Sequence, residues 1–379
     1  MFLIRFLRRI VIAALTLFLL LWIVLAGFRY PNPIQVAQVG FASPTDTPKH
    51  MNSNPIAAST SPKPLDTGAQ ETLPQTVVFR GKTVTFDEYL KVTATNALLI
   101  YRDGKLTHEW YAPGITKDQK LPSYSVAKSL TSILAGQFIA EGKLRESDKL
   151  VDILPEWKTG TSYDKITIGD LLDMRGGIDV PDDYPSGPSG WGRSIAQMYA
   201  TTDMNYFIKN HRKMLFEPGT KGDYRSVDTQ MVGLVLRKIS GKSLAQLAQE
   251  RIFQPLGAEY AASWSTDVNG GIEKAFCCYN GAARDYVKLG TLLLAPSAYV
   301  NTQWLGRLWT PMETLDHNWG YGAFVWHPYA NTSMMLGLHE QIVMVLPIQK
   351  TVIVKLSANL VDSDEVESAR ILHEIGVRG

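Results

Sequence analysis

The chain has 379 residues, 45% hydrophobic and 20% charged, enough for one large globular domain or two closely packed ones. Its formal net charge of +2 excludes a strong general pull toward polyanions, so no nucleic-acid partner is expected. The 7 histidines are scattered and no His-Glu-x-x-His or Cys-x-x-Cys pattern occurs, so neither a metal site nor a cofactor is expected.

Residues 1–30 read as a membrane anchor. Arg5, Arg8 and Arg9 precede an uncharged apolar stretch from Ile10 to Phe28. At helical rise that stretch approaches the roughly 30 Å hydrocarbon core of a bilayer. The basic cluster ahead of it predicts an N-terminus inside and the remainder outside. In a Gram-negative cell this is a single pass through the inner membrane with the bulk in the periplasm. A cleaved signal peptide is the competing reading, because Leu25-Ala26-Gly27 is rich in small residues. The apolar core of a signal peptide is usually only about 7–15 residues, so the length favours an uncleaved anchor.

Residues 31–75 scatter Pro31, Pro33, Pro44, Pro48, Pro55, Pro62 and Pro64 among Ser, Thr, Asn and Gly, with no apolar period. That composition predicts an extended, largely disordered tether. The globular part, residues 76–379, follows. Asn96 to Tyr101 and Leu106 to Tyr111 are strand-like runs around Asp103-Gly104, a hairpin signal.

Leu121-Pro122-Ser123-Tyr124-Ser125 then leads into an apolar run with helical spacing, Val126, Ala127, Leu130, Ile133, Leu134, Phe138 and Ile139, ended by Gly142. Ser125 falls at the first turn of this buried helix, and Lys128 stands one turn later on the same face. A serine hydroxyl needs a base within hydrogen-bond reach to act as a nucleophile. An amine held beside it, partly desolvated and near the positive end of a helix dipole, can take that proton. Ser-x-x-Lys arises about once or twice by chance in a chain of this length at ordinary residue usage. A second copy, Ser162-Tyr163-Asp164-Lys165, heads no apolar helix and reads as a solvated loop.

From there to about residue 275 the pattern is helix and loop. One helix starts at Ile166 to Leu172, one spans Thr229 to Ile239 before Gly241, and one spans Leu244 to Ile252 before Pro255-Leu256-Gly257. Cys277 and Cys278 are the only cysteines; neighbours in sequence rarely bond each other, so free thiols in a buried strand or turn are expected. Ala282 to Leu294 reads as a helix. Tyr321 to Trp326, Ser333 to Leu336, Gln341 to Leu346 and Thr351 to Leu356 read as strands, and about Ser363 to Ile375 as a closing helix. Strands at both ends of the domain predict one antiparallel sheet with a helical region inserted between them.

Ser125-Val126-Ala127-Lys128-Ser129-Leu130 resembles the nucleophile segment of the serine beta-lactamase-like hydrolases, class C branch. That group includes class C beta-lactamases, D-alanyl-D-alanine carboxypeptidases, esterases and 6-aminohexanoate-dimer (nylon oligomer) hydrolases. Leu171 to Gly177, Phe216 to Thr220 followed by Tyr224-Arg225-Ser226, Gly241-Lys242-Ser243, Ile252 to Gly257 and Ala283-Arg284-Asp285 are similar to further motifs of the group, in order. The resemblance runs from about residue 90 to the end and is nearest to the nylon oligomer hydrolases. It implies an α+β fold of the beta-lactamase/transpeptidase type, an antiparallel sheet flanked by helices with a mostly helical insertion, behind the N-terminal transmembrane helix.

The resemblance also implies site residues. Tyr224 corresponds to the family's Tyr-x-Asn or Tyr-x-Ser tyrosine, a phenol that meets both serine and lysine and whose pKa a neighbouring ammonium would lower. Met335-Leu336-Gly337-Leu338-His339-Glu340-Gln341 is similar to the Gly-x-His-Gly-Gln strand, with Glu340 where glycine is common. There Gly337 would let the strand come close to substrate. The backbone N–H of Leu338 would join that of Ser125 as an oxyanion donor. The missing Lys or His on this strand removes a handle for a substrate carboxylate. Tyr184, after Asp182-Asp183, corresponds to a substrate-binding tyrosine, although an exposed loop tyrosine is an equal reading. Pro185 to Trp191 is a candidate lid. The function implied is a membrane-anchored serine hydrolase acting on a small ester or amide through an acyl-enzyme. The rival readings are a peptidoglycan D,D-peptidase or beta-lactamase, and a catalytically idle cell-wall-binding protein.

Overall fold

The computed structural model describes residues 2–183, 193–361 and 364–378. Tyr184 and the candidate lid up to Trp191 lie outside the described residues. Helix α1 (Phe2–Gly27) buries none of its residues and is long and apolar enough to cross a membrane. Its 26 residues reach about 39 Å at helical rise.

The segment expected to be a disordered tether is instead folded onto the body. Helix α2 (Pro33–Phe41) starts with Asn32 as N-cap and Pro33 at its first position, where the missing N–H costs nothing. Strand β1 (Ser53–Ile56) pairs antiparallel with a later strand, Ser53 opposite Ser265. It lies at the edge of its sheet, the position that tolerates Pro55. The segment needs no core of its own. It lends Val36 and Ile56 to the common interior, and its polar groups find distant partners: Asn54 Nδ2 donates to Glu273 at 2.6 Å and Ser59 N to Ala258 O at 3.0 Å. Composition predicts disorder when a segment must pay for its own ordering; here the rest of the chain supplies the contacts.

A small hairpin, β2 (Thr76–Phe79) and β3 (Lys82–Thr85), leads into helix α3 (Phe86–Val92). The Asp103-Gly104 hairpin forms as expected between β4 (Thr95–Arg102) and β5 (Lys105–Tyr111), with both turn residues at positive φ. Short strand β6 (Leu121–Pro122) then delivers the chain to helix α4 (Val126–Ala140).

The helical region comprises α5 (Leu150–Ile153), α6 (Ile168–Leu172), α7 (Ser194–Ala200), α8 (Met204–Asn210), α9 (Ser226–Ser240, ended by left-handed Gly241), α10 (Leu244–Ala248) and α11 (Gln254–Leu256). The second Ser-x-x-Lys forms a 3-10 turn rather than a solvated loop, because Tyr163 inserts fully into the core while Lys165 stays outside on Glu217. Strands β7 (Ala262–Ser265) and β8 (Tyr279–Gly281), helix α12 (Ala283–Thr291) and helix α13 (Thr302–Leu308) follow. The chain closes with β9 (Glu313–Thr314), β10 (Gly320–Gly322), β11 (Val325–Tyr329), β12 (Thr332–Gly337), β13 (Gln341–Leu346), β14 (Thr351–Ser357) and helix α14 (Asp364–Val377). The run read as one strand from Tyr321 to Trp326 is a hairpin, since Ala323 and Phe324 take positive φ and turn the chain.

Among the described residues the strands form an eight-stranded antiparallel sheet in the order β5-β4-β14-β13-β12-β11-β10-β9. Both ends of the domain therefore share one sheet, as the strand pattern implied. A second sheet, β1-β7-β8-β6, was not anticipated; its strands are two to four residues long, too short to show a period. Strands β13 and β14 are buried on both faces, and their apolar stretches, Ile342 to Leu346 and Val352 to Val354, reflect that; Lys355 interrupts the second. Helix α12 covers one face so closely that a Cβ on Gly290 would lie 2.4 Å from Val352 Cγ1. Helix α14 covers the other with Ile371, Leu372 and Ile375. Helix α4 runs between this sheet and α9, buried along most of its length. Its first turn is thereby held against the sheet on one side and α9 on the other.

Candidate active site

Ser125 is the N-cap residue of α4, yet its side chain makes no cap bond. Serine at this position normally accepts from the second or third helical N–H. Here the hydroxyl instead accepts a hydrogen bond from Lys128 Nζ at 2.8 Å. The residue before it, Tyr124, is held at φ 42°, a left-handed conformation costly for an aromatic residue. Long-range ties hold it there: Ser123 N donates to Tyr279 O at 2.8 Å and Tyr124 OH to Pro44 O at 3.2 Å.

Lys128 is 1% exposed. Besides Ser125 its ammonium donates to Ser226 Oγ at 2.8 Å and to Phe276 O at 2.9 Å, which uses all three donors. Ser226 opens α9, and its Oγ donates in turn to Asp182 Oδ2 at 2.5 Å; Asp182 Oδ1 accepts from Ser226 N at 2.7 Å. The polar groups thus form one chain, Ser125, Lys128, Ser226, Asp182. Burial pushes the Lys128 ammonium down to about 8, and the nearby Asp182 carboxylate only partly offsets this. Burial also pushes Asp182 above the usual carboxylate range, against the pull of Lys128 and the hydrogen bonds from Ser226.

Tyr224 sits with Lys128 Nζ 5.0 Å from its ring centroid. Its ring stacks on Trp326 and meets Tyr321 edge-on. The three polar residues expected to converge, Ser125, Lys128 and Tyr224, do so from the start of α4 and the loop before α9. The expected lowering of the Tyr224 pKa does not occur. Desolvation between Trp326 and Tyr321 raises it well above 10, Asp182 adds to the rise, and a hydrogen bond with Ser125 is the main opposing effect. This tyrosine is built to hold its proton, as a donor rather than a resting base.

Strand β12 ends across the same turn. A Cβ on Gly337 would lie 2.3 Å from Ser123 O and 2.9 Å from Ser125 N, so only glycine lets the two backbones meet. Leu338 and Ser125 line a common cavity of about 350 Å³. Glu340, where the family resemblance led to glycine, faces away from it. Its carboxylate pairs with Lys355, both 2% exposed or less, and accepts from Asn359 Nδ2 at 2.6 Å and Ser368 Oγ at 2.8 Å. The charge is thus a buried staple beneath the strand rather than a substrate contact.

Asp182 is the residue that reading the sequence missed. The sequence shows only an Asp182-Asp183 pair ahead of Tyr184; in the structure Asp182 turns inward to Ser226 and Asp183 outward to Arg193. Cys277 and Cys278 form a disulfide with each other, contrary to the expected free thiols. Cys278 takes φ 74°, which brings the two side chains together, and Cys277 lines the cavity just after the carbonyl of Phe276 that holds Lys128. Among the described residues no group of three or more His, Cys, Asp or Glu side chains is gathered as metal ligands.

The family model described as Beta-lactamase matches residues 85–376. The chain is similar to a 6-aminohexanoate-dimer hydrolase of Paenarthrobacter ureafaciens, 26% identical over 235 residues, which is 57% of this chain and 57% of that protein. It is also similar to a beta-lactamase of Escherichia coli K12, 28% identical over 178 residues, 45% of this chain and 43% of that one. The matched stretch thus spans only about half the length of these relatives. A solved structure assigned as a 6-aminohexanoate-dimer hydrolase from Bacillus anthracis superposes with a TM-score of 0.78 at 23% identity, covering 92% of this chain and 95% of that one. The hydrolase EstCE1 superposes at 0.61 with 16% identity, covering 77% and 96%. At these identities the solved structures establish the fold.

Proposed function

The chain belongs to the beta-lactamase family of serine hydrolases, and from that premise we propose that it cleaves an ester or amide through an acyl-enzyme on Ser125. The observation that carries this reading is the 2.8 Å hydrogen bond between Ser125 Oγ and a buried Lys128 whose ammonium is destabilised. Neutral Lys128 takes the hydroxyl proton as Ser125 Oγ bonds to the carbonyl carbon. The N–H groups of Ser125 and Leu338 hold the oxygen of the tetrahedral intermediate. Tyr224, protonated at rest, donates its proton to the departing oxygen or nitrogen, and the Lys128 ammonium beside it restores that proton. A water then attacks the acyl-enzyme by the same groups in reverse. Asp182 and Ser226 set the position and basicity of the lysine. We read α1 as an uncleaved anchor with the hydrolase on the outer side of the cytoplasmic membrane, and Tyr184 as a further substrate contact.

A fluorophosphonate probe added to the full-length protein should label one site, and mass spectrometry of the digested protein should find it on Ser125. Labelling at another serine, or none, overturns the reading.

The lysine must be neutral to act, and it is neutral above its pKa. The kcat/KM for a neutral ester should therefore rise with pH and reach half its maximum near pH 8. In Asp182→Asn the opposing negative charge is gone, the lysine pKa falls further, and this limb should move to lower pH. A pH–rate profile on both proteins checks the sign.

A further inference from the structure

The cavity at Ser125 has an unusual wall. One side is built by the segment that leaves the apolar helix α1: Tyr30, Pro31, Val36, Val39 and Met51 all line it. This wall is fastened to the body at its start. Thr202 N donates to Arg29 O at 2.7 Å, Gln197 Nε2 donates to Phe28 O at 3.3 Å, and the Arg29 guanidinium lies 5.0 Å from the centre of the Tyr206 ring. It is fastened at its far end through Pro44 O, which accepts from Tyr124 OH beside the nucleophile. Ala196 and Tyr199 of α7 and Leu338 also line it.

The chemistry of this lining is neutral and largely apolar. Its two charged members compensate each other. Lys274 donates to Thr201 O at 3.1 Å and feels the charge of Asp267, while Asp267 accepts from Met204 N, Val268 N and Ile272 N. No charged substrate group is selected there. The cavity contains Ser125 and Leu338, the proposed oxyanion donors, but not Tyr224, the proposed donor to the leaving group. It therefore opens on the acyl side of the scissile bond. Leu360, which lines the cavity, and Phe28, Ile34 and Phe41, which stand near the lining residues Tyr30, Gln35 and Gly40 in sequence, are left more than half exposed.

From the wall, its neutral lining and its position we infer that the cavity is an acyl-binding pocket, and that the substrate is an ester or amide carrying a neutral, flexible hydrocarbon acyl chain. The inference rests on the hydrolase reading at Ser125. The residues just after the membrane-length helix serve as one wall of the pocket, so the chain enters where the protein meets an apolar phase.

The test uses full-length protein in phosphatidylcholine vesicles. Each buried methylene should add roughly two- to fourfold to kcat/KM until the pocket is full. The ratio of kcat/KM for p-nitrophenyl octanoate over p-nitrophenyl acetate should therefore exceed about 30. Val39→Trp and Ala196→Trp, which narrow the pocket from two lining segments, should each lower that ratio at least tenfold, with fluorophosphonate labelling of Ser125 reporting that each variant is folded. A ratio near one, or a ratio unmoved in both labelled variants, overturns the acyl pocket and leaves the hydrolase reading standing. If neither ester is cleaved and Ser125 takes no probe, the hydrolase reading itself falls, and the inference with it. Octanoyl glycerol embedded in the vesicle membrane and the same ester dispersed in water separate the two sources. Faster cleavage of the embedded ester supports entry from the apolar phase, and faster cleavage of the dispersed ester overturns that route of entry.

Discussion

Replacing Ser125 with alanine should lower kcat on any cleaved ester by about 10⁴-fold or more while leaving the protein folded. The size of the loss follows from the geometry. The hydroxyl is the group that would bond to the carbonyl carbon, and among the described residues no other hydroxyl touches both the destabilised ammonium of Lys128 and the cavity; Ser226 Oγ touches the ammonium but is also tied to Asp182. The small effect on stability follows from the same geometry. Ser125 does not cap α4 with its side chain, so removing Oγ costs no helix-end bond. Lys128 keeps Ser226 Oγ and Phe276 O as acceptors and loses one of three. The change in unfolding free energy should be about 1 kcal/mol or less. Ester hydrolysis and thermal denaturation of the purified variant measure the two quantities side by side. Turnover within tenfold of the parent would remove Ser125 from the chemistry.

Lys128→Met should be nearly as damaging, with a loss of kcat of about 10³–10⁴-fold. The variant keeps the serine, so what it loses is the base. Fluorophosphonate labelling of Ser125 should slow by a similar factor, because the hydroxyl then reacts without deprotonation. The double variant should be no worse than the worse single one, since the serine and lysine act as a unit and their effects do not add. Additive losses would mean that the two residues work independently. Removal of the ammonium also leaves Asp182 without its counter-charge beside Ser226, so its carboxyl should move further up and take a proton at a higher pH.

The fold was legible where a local rule is strong. The Asp103-Gly104 turn, the 3.6-residue period after Ser125, the Gly241 stop and the short apolar runs Ile342 to Leu346 and Val352 to Val354 each encode an element within a few residues. It was illegible where an element depends on distant chain. Residues 31–75 carry a composition that reads as tether, and the stretch from Asn54 to Leu65 is held because Glu273, Gln249, Gln254 and Glu259, far along the sequence, accept hydrogen bonds from Asn54, Ala57, Thr60 and Leu65. The disulfide between Cys277 and Cys278 belongs to the same class, since it depends on a backbone conformation that residue identity does not announce.

The site divides along the same line. Sequence by itself determined the one-turn relation of Ser125 to Lys128, because helical periodicity is a local property of the chain. Through its resemblance to the serine beta-lactamase-like hydrolases it also implied the tyrosine two residues ahead of α9 and the glycine that ends β12. Only the tertiary structure decided the electrical state of those groups. Whether Lys128 is a surface cation or a destabilised amine depends on what α9 and the Phe276 carbonyl exclude from around it. Tyr224 keeps its proton because Trp326 and Tyr321, about a hundred residues away, shut out the water a phenolate would need. Proximity along a helix can be read from spacing, but desolvation is the sum of everything packed around a group, and the chain acquires it only on folding.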